Sequence, residues 1–223
     1  MSDSAFKPSD SDGKIFELTF KPTPSDRELE WDKSKVVISK TDSKGIIMYA
    51  NEPFINVSGY DEFELMNKPH NIVRHPDMPS VVFKLMWESL NKGNEFVCIT
   101  KNMSKSGRYY WIKSDIKISK TSSGDSFFTS TQTAVDHAII TEIVEPLYKK
   151  LHLIEKTNGA DTSENYLLGF LEDKQISFVK FMENLAVEKK SGSSTSTSGG
   201  KQVVIAKKKG FFSGFFADNN TDD

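Results

Sequence analysis

The sequence predicts an α+β fold in which a five-stranded antiparallel sheet carries short helices over one face and is followed by C-terminal helices. Three observations predict it. Two β-type runs, at residues 35–39 and 46–50, flank a glycine-containing turn. Between residues 51 and 93, apolar residues then recur at helical spacing in short blocks separated by Gly and Pro. Three further β-type runs follow before the pattern becomes helical again. Strands on both sides of a helical block place those helices on one face of a common sheet. The space between the two layers is the natural ligand site.

Each element has a local reason. The run Lys35-Val36-Val37-Ile38-Ser39 reads as a first strand, and Ile46-Ile47-Met48-Tyr49-Ala50 as its hairpin partner. Gly45 supplies the positive φ that the turn between them requires. Asn51 is placed to cap a helix containing Phe54, Ile55 and Val57, with Gly59 as its stop. A short helical turn falls near residues 62–66, and residues 71–79, with two prolines, form a compact loop or single turn. Ser80 reads as the N-cap of a longer helix carrying Val81, Val82, Leu85, Met86 and Leu90, which ends at Gly93. Residues 95–102, 109–117 and 126–135 are the remaining strands. Beyond Asp136, the residues Ile140, Ile143, Val144, Leu147, Leu151 and Ile154 form one apolar stripe, with Pro146 either kinking it or starting a second segment. Asp161 with Glu164 fits a capping box opening the next helix. The stripe Leu167, Leu171, Phe178, Met182 and Leu185 is expected to pack on another helix, in the same chain or in a partner.

The resulting organisation is an N-terminal cap or tail (1–33), a sensor domain (34–136), a helical signalling or association segment (137–190), and a flexible linker with a basic, aromatic tail (191–223). Residues 15, 16, 18 and 20 give the N-terminal segment one apolar docking patch. The basic and aromatic residues at 207–216 suit a membrane surface or partner groove, or a disordered tail.

Composition excludes several functions. With 223 residues, a 37 % hydrophobic fraction and 16 Phe, the chain can fill a real core. A net charge of -2 does not mark a nucleic-acid binder. No apolar run approaches the ~20 residues that cross a bilayer, and the polar, acidic N-terminus lacks a signal-peptide pattern; a cytoplasmic location is expected. One cysteine, Cys98, excludes an intramolecular disulfide. The four histidines form no metal-ligand pattern, and His137 and His152, on polar helical segments, are expected to be solvated.

The stretch Thr41-Asp42, Gly45 to Asn51, Phe54 and Ser58-Gly59-Tyr60 resembles the front half of a PAS domain. The unbroken run H-N-I-V-R-H-P-D-M-P from His70 to Pro79, with Phe83, Met86-Trp87, Leu90, Gly93, Lys101-Asn102, Gly107 and Tyr110-Trp111, resembles one branch: the FAD-binding PAS domains of bacterial aerotaxis receptors and soluble energy-taxis proteins. The likeness continues into Val144-Glu145-Pro146-Leu147-Tyr148 and covers roughly residues 36–150. It implies a PAS fold with FAD as cofactor. By the resemblance, Arg74, His75 and Asp77 hold the flavin, and Asn51, Phe83, Trp87 and Asn102 line its pocket. The residue types suit this: Arg74 can fork onto phosphate oxygens, Phe83 and Trp87 offer flat faces, and the Asn102 amide both donates and accepts. Structural alternatives exist, in which Arg74, His75 and Asp77 form a salt bridge and helix cap, Asn51 is only an N-cap, and the aromatics only fill the core.

The chain departs from that branch in having Phe96 where Trp is usual and Cys98 where a small residue is usual. The N-C-R-F-L-Q motif of blue-light LOV domains is absent, so Cys98 reads as an inert buried side chain.

The resemblance implies a bacterial, non-enzymatic redox or oxygen sensor that signals to a separate chemotaxis transducer, membrane-bound or cytoplasmic, and reaches the inner membrane only through that partner. Homodimerisation is a second mode of association. Two rival readings are a PAS module sensing haem (His75 as axial ligand) or another small ligand, and a cofactor-free dimerisation adaptor built on the 138–190 helices.

Overall fold

In the computed structural model, which describes residues 22–187, the hairpin expected near the start is formed by β1 (Val37–Asp42) and β2 (Ile47–Ala50). The patch at 15–20, the linker at 191–200 and the segment at 207–216 lie outside the described residues. The chain then forms α1 (Glu52–Ser58), α2 (Glu62–Leu65), a 3-10 turn (His70–Val73) and α3 (Ser80–Asn91). Strands β3 (Phe96–Met103), β4 (Tyr109–Lys120) and β5 (Ser126–Ala134) complete one five-stranded antiparallel sheet in the order β2-β1-β5-β4-β3. The final strand therefore lies at the centre, between β1 and β4.

Two apolar clusters hold the layers together. Phe54 and Val57 of α1, with Leu65 and Val73, pack on Val37, Ile47, Tyr110 and Ile112 at one end of the sheet. A larger cluster joins α3 and β3 to the C-terminal helices. Those helices are α4 (His137–Ile139), a π-helical stretch (Ile140–Val144), α5 (Glu145–Asn158), α6 (Ala160–Asp173) and α7 (Phe178–Val187). Pro146 sits at the start of α5 and has no N–H to donate back into the preceding turn. The π register just before it is a common way for a helix to absorb such a lesion.

The C-terminal helices close the β3 edge of the sheet. Every residue of β3 is buried, α7 packs against it, and Phe178 stacks on Phe96 with ring centroids 5.6 Å apart. On the face away from α1, Tyr148 of α5 packs against Trp111 and donates its hydroxyl to the Ile99 carbonyl at 2.7 Å. The stripe Leu167, Leu171, Phe178, Met182 and Leu185 is buried within the chain, with exposures of 0–6 %. Of the two packing partners expected for it, the structure supplies the one in the same chain.

Three local expectations are corrected. Asp161 and Glu164 form no capping box, because α6 starts at Ala160 after Gly159 and has no side-chain cap; Glu164 pairs with Lys84 of α3 instead. Ser80 is the first helical residue of α3 and Pro79 occupies the cap position. His152 is half-buried rather than solvated, with a buried Nδ1 that makes no hydrogen bond among the described residues. Among the described residues, no helix is long and apolar enough to cross a membrane.

Candidate functional site

A cavity of about 420 Å³ lies between the inner face of the sheet and the layer made by the 3-10 turn and α3. Small-molecule and cofactor sites occupy roughly 300–1,000 Å³. Strand alternation aims every second side chain at it, and the register sets these side chains in rows across the sheet, such as Gln132, Ser114 and Cys98.

The two walls differ chemically. From the sheet come Ser39, Thr41, Thr100, Asn102, Ser114 and Gln132, all lining the cavity and all buried. From the helical layer come Val73, Phe83, Met86, Trp87 and Leu90. The sheet wall thus offers hydroxyls and amides together with the apolar Cys98, Ile116 and Phe128, while the helical layer offers mainly apolar and aromatic surface beside His70, Asn71 and Arg74. Trp87 is held edge-to-face against Phe128 with centroids 6.0 Å apart.

Buried polar groups need partners, since each one left unpaired costs ~1–3 kcal/mol. Ser39 Oγ meets His70 Nε2 at 3.0 Å. Burial pushes the His70 imidazole down to about 4, against the opposing effect of a backbone hydrogen bond, so the ring is neutral at neutral pH. Gln132 Nε2 donates to Ser130 Oγ at 3.1 Å, while Gln132 Oε1 is buried and receives no donor among the described residues. A ligand presenting an N–H or O–H to β5 would satisfy that oxygen. Asn102 is the cross-strand neighbour of Tyr110, whose phenol burial pushes up and Asn102 partly restrains.

Four of the site residues drawn from the sequence meet at this cavity: Arg74, Phe83, Trp87 and Asn102. The Arg74 guanidinium lies 3.9 Å over the Phe83 ring and donates Nη2 to the Met78 carbonyl at 3.4 Å. An isolated bridge between Arg74 and Asn102 ties the loop to β3.

Asn51, His75 and Asp77 are not among the lining residues. Asn51 Oδ1 accepts from Phe54 N at 3.0 Å and Ile38 N at 2.9 Å, and its Nδ2 donates to the Val36 carbonyl at 2.9 Å. Its amide is committed to holding α1 against β1. His75 is buried beside Tyr109, and its Nδ1 accepts from Asp77 N at 3.1 Å. Burial and then the Lys101 charge lower the His75 pKa, with Asp77 opposing. The Asp77 carboxylate receives Lys101 Nζ at 2.9 Å. Desolvation is the largest influence on that carboxyl and opposes ionisation, yet the Lys101 hydrogen bond and charge with His75 outweigh it and hold its pKa low. These residues brace the loop behind the cavity wall.

Lys44, His70 and Gln132 also line the cavity and were not among the site residues drawn from the sequence, although His70 opens the run at 70–79. For Gln132 a signal existed: Phe128, Ser130 and Gln132 are alternate residues of one strand, and polar side chains at inward positions of a buried strand need an explanation.

A family model for the PAS fold matches residues 47–131. Over 117 residues the chain is 42% identical to the aerotaxis receptor of Escherichia coli (strain K12), covering 52% of this chain and 23% of that protein. It is 27% identical over 85 residues to the nitrogen fixation regulatory protein of Klebsiella pneumoniae, covering 38% of this chain and 17% of that protein. The match thus spans less than a quarter of the length of either curated relative. Similar solved structures include the light state of the blue-light photoreceptor Aureochrome1 LOV, with a TM-score of 0.44 and 19% identity, covering 49% of this chain and 88% of that one. The PAS domain of the fruit-fly ELK potassium channel gives a TM-score of 0.42 and 19% identity, covering 48% of this chain and 91% of that one.

Proposed function

Because this chain contains a PAS domain, we propose that it is a flavin-binding redox or oxygen sensor that takes FAD in the cavity and signals to a separate chemotaxis transducer. The observation that carries this is the two-sided cavity. A flat ring that is apolar on its faces and polar at its edge matches an aromatic wall opposed to buried hydroxyls and amides, one of which, Gln132 Oε1, has no donor of its own.

A bound isoalloxazine would offer the sheet an edge nitrogen that accepts a hydrogen bond when oxidised and donates one when reduced. The amides of Asn102 and Gln132 can answer either state by exposing their oxygen or their NH₂. Exchanging one such bond is worth ~1 kcal/mol, about a fivefold population shift. Two exits lead from the cavity to the C-terminal helices. β5, which carries Gln132, runs into α4 after Ala134. α3, which carries Phe83, Met86 and Trp87, is held at its N-terminus by Glu155 of α5. These residues bind and relay, and the activity is signalling rather than catalysis.

Haem is the weaker reading, since His75 is buried behind the wall with its Nδ1 engaged by Asp77 N, and the cavity-lining His70 already meets Ser39 Oγ through its Nε2. The adaptor reading is weakened by the burial of the α6 and α7 stripe inside the chain. The deciding experiment is the absorption spectrum of freshly purified full chain, followed by mass identification of the acid-released chromophore. Flavin bands and FAD are expected. A Soret band, or a folded colourless protein that takes up no flavin when incubated with FAD, would overturn the proposal.

A further inference from the structure

Among the described residues lining the cavity, two side chains are permanently cationic, Lys44 and Arg74, and none is a carboxylate. They come from different elements, Lys44 from the β1–β2 turn and Arg74 from the segment after the 3-10 turn. Arg74 already lies on Phe83 and donates to Met78. Lys44 is exposed and, among the described residues, forms no ion pair.

The turn presents Lys44 at a fixed place. Asp42 Oδ1 accepts from Lys44 N at 2.8 Å and from Ile46 N at 2.9 Å, which turns that carboxylate toward the backbone. The Gly45 carbonyl accepts from His70 N at 2.9 Å, which ties the turn to the 3-10 segment. Gly45, at φ +80°, also passes close to the Trp87 indole: a Cβ at residue 45 would lie 3.0 Å from Trp87 Cη2. The turn thus carries an exposed cation at the edge of a cavity whose one other fixed charge, among the described lining residues, is the Arg74 guanidinium. A wholly neutral ligand would leave that cation unused; a ring bearing a phosphate outside the cavity would not.

We propose that Lys44 recognises phosphate at the cavity mouth, with Arg74 as second cation, so that the site selects flavin nucleotides over unphosphorylated flavin. This rests on the flavin reading of the cavity. Lysine meets phosphate as a point charge, and at an exposed rim the effect is screened by salt.

The test uses the full chain freed of flavin, titrated with FAD, FMN and riboflavin while flavin fluorescence is followed. Wild type is expected to bind both nucleotides more tightly than riboflavin, by a margin that narrows as salt rises. Lys44→Gln is expected to weaken FAD and FMN about twofold to fivefold and leave riboflavin unchanged, while Lys44→Arg retains nucleotide affinity. Equal effects on all three ligands, or none on any, would overturn the assignment. A second arm adds ADP alone and follows backbone amide shifts at residues 44–45 and 71–74. Shifts that appear in wild type and vanish in Lys44→Gln support the rim even if no flavin binds and the flavin reading fails. With no flavin bound and no ADP shifts, both fall.

Discussion

Glu155 of α5 caps the first turn of α3 at Ser80. Its Oε2 accepts from Ser80 N at 2.9 Å, and its Oε1 accepts from Ser80 Oγ and Val81 N, each at 3.0 Å. α3 has no cap from its own segment, because Pro79 occupies that position and has no suitable side chain. A carboxylate at a helix N-terminus both satisfies orphan amides and meets the positive end of the helix dipole. The far side of α3 carries Phe83, Met86 and Trp87 into the cavity. The cap therefore joins the cavity wall to the first long C-terminal helix.

Glu155→Ala is expected to lower stability by about 1–2 kcal/mol, the usual cost of a lost cap, and to speed amide exchange at Ser80 and Val81. Flavin affinity, scaled to folded protein, is expected to hold, because Glu155 does not line the cavity. Urea unfolding, amide exchange and flavin titration check the three parts. Unchanged exchange at the start of α3 would show that the cap is dispensable there.

Ser80 also shows where a sequence stops being informative. A serine before an apolar run is a sound local cue for an N-cap, and the helix does begin there. What the cue lacks is a partner 75 positions away, which no local pattern contains. Strands were legible because glycine turns and alternation act over a few residues, and all five fall within a few residues of where those cues put them. The residue content of the loop at 70–79 was legible too, but not its facing: Arg74 turns toward the cavity, whereas His75 and Asp77 turn to Tyr109 and Lys101. Those directions are set by β3, which pairs with the loop through Asn102 and Lys101.

His70 makes stability depend on pH. Its ordinary pKa of 6.5 falls to about 4 in the fold, chiefly through burial. The unfolded chain therefore binds more protons between these values, so stability is full above 6.5 and is lost as pH falls toward 4. The shift sets an upper bound of about 3 kcal/mol. His70→Gln is expected to flatten the difference in unfolding free energy between pH 7 and pH 4.5. Equal slopes for wild type and variant would place the acid sensitivity elsewhere.

The cavity geometry separates lining residues from braces. Arg74→Ala and Trp87→Ala are expected to weaken flavin retention with far-UV circular dichroism largely native. Asn51→Ala is expected to lose about 1–2 kcal/mol of stability with its cap and to keep flavin affinity, because its amide is committed to α1 and β1. Denaturant unfolding combined with equilibrium flavin titration distinguishes the classes. Loss of flavin from stably folded Asn51→Ala would put that amide back in the site.

Gln132 and Asn102 are the two amides on the sheet wall, and they stand differently with respect to the exits. Gln132 is on β5, the central strand, two residues before Ala134 and five before α4 begins. Asn102 is on β3, the strand covered by α7 and joined to α5 through the Ile99 carbonyl and Tyr148. A change of hydrogen-bond sense at either amide can reach the helices through packed elements that have discrete arrangements. Amide exchange across residues 126–154 is therefore expected to differ between oxidised and dithionite-reduced protein. Asn102→Ala should blunt the difference, chiefly in α5. Gln132→Leu should blunt it chiefly at the end of β5 and in α4, since leucine fills the space but can neither donate nor accept. If exchange is the same in both redox states while flavin is demonstrably bound and reduced, the flavin is not the input.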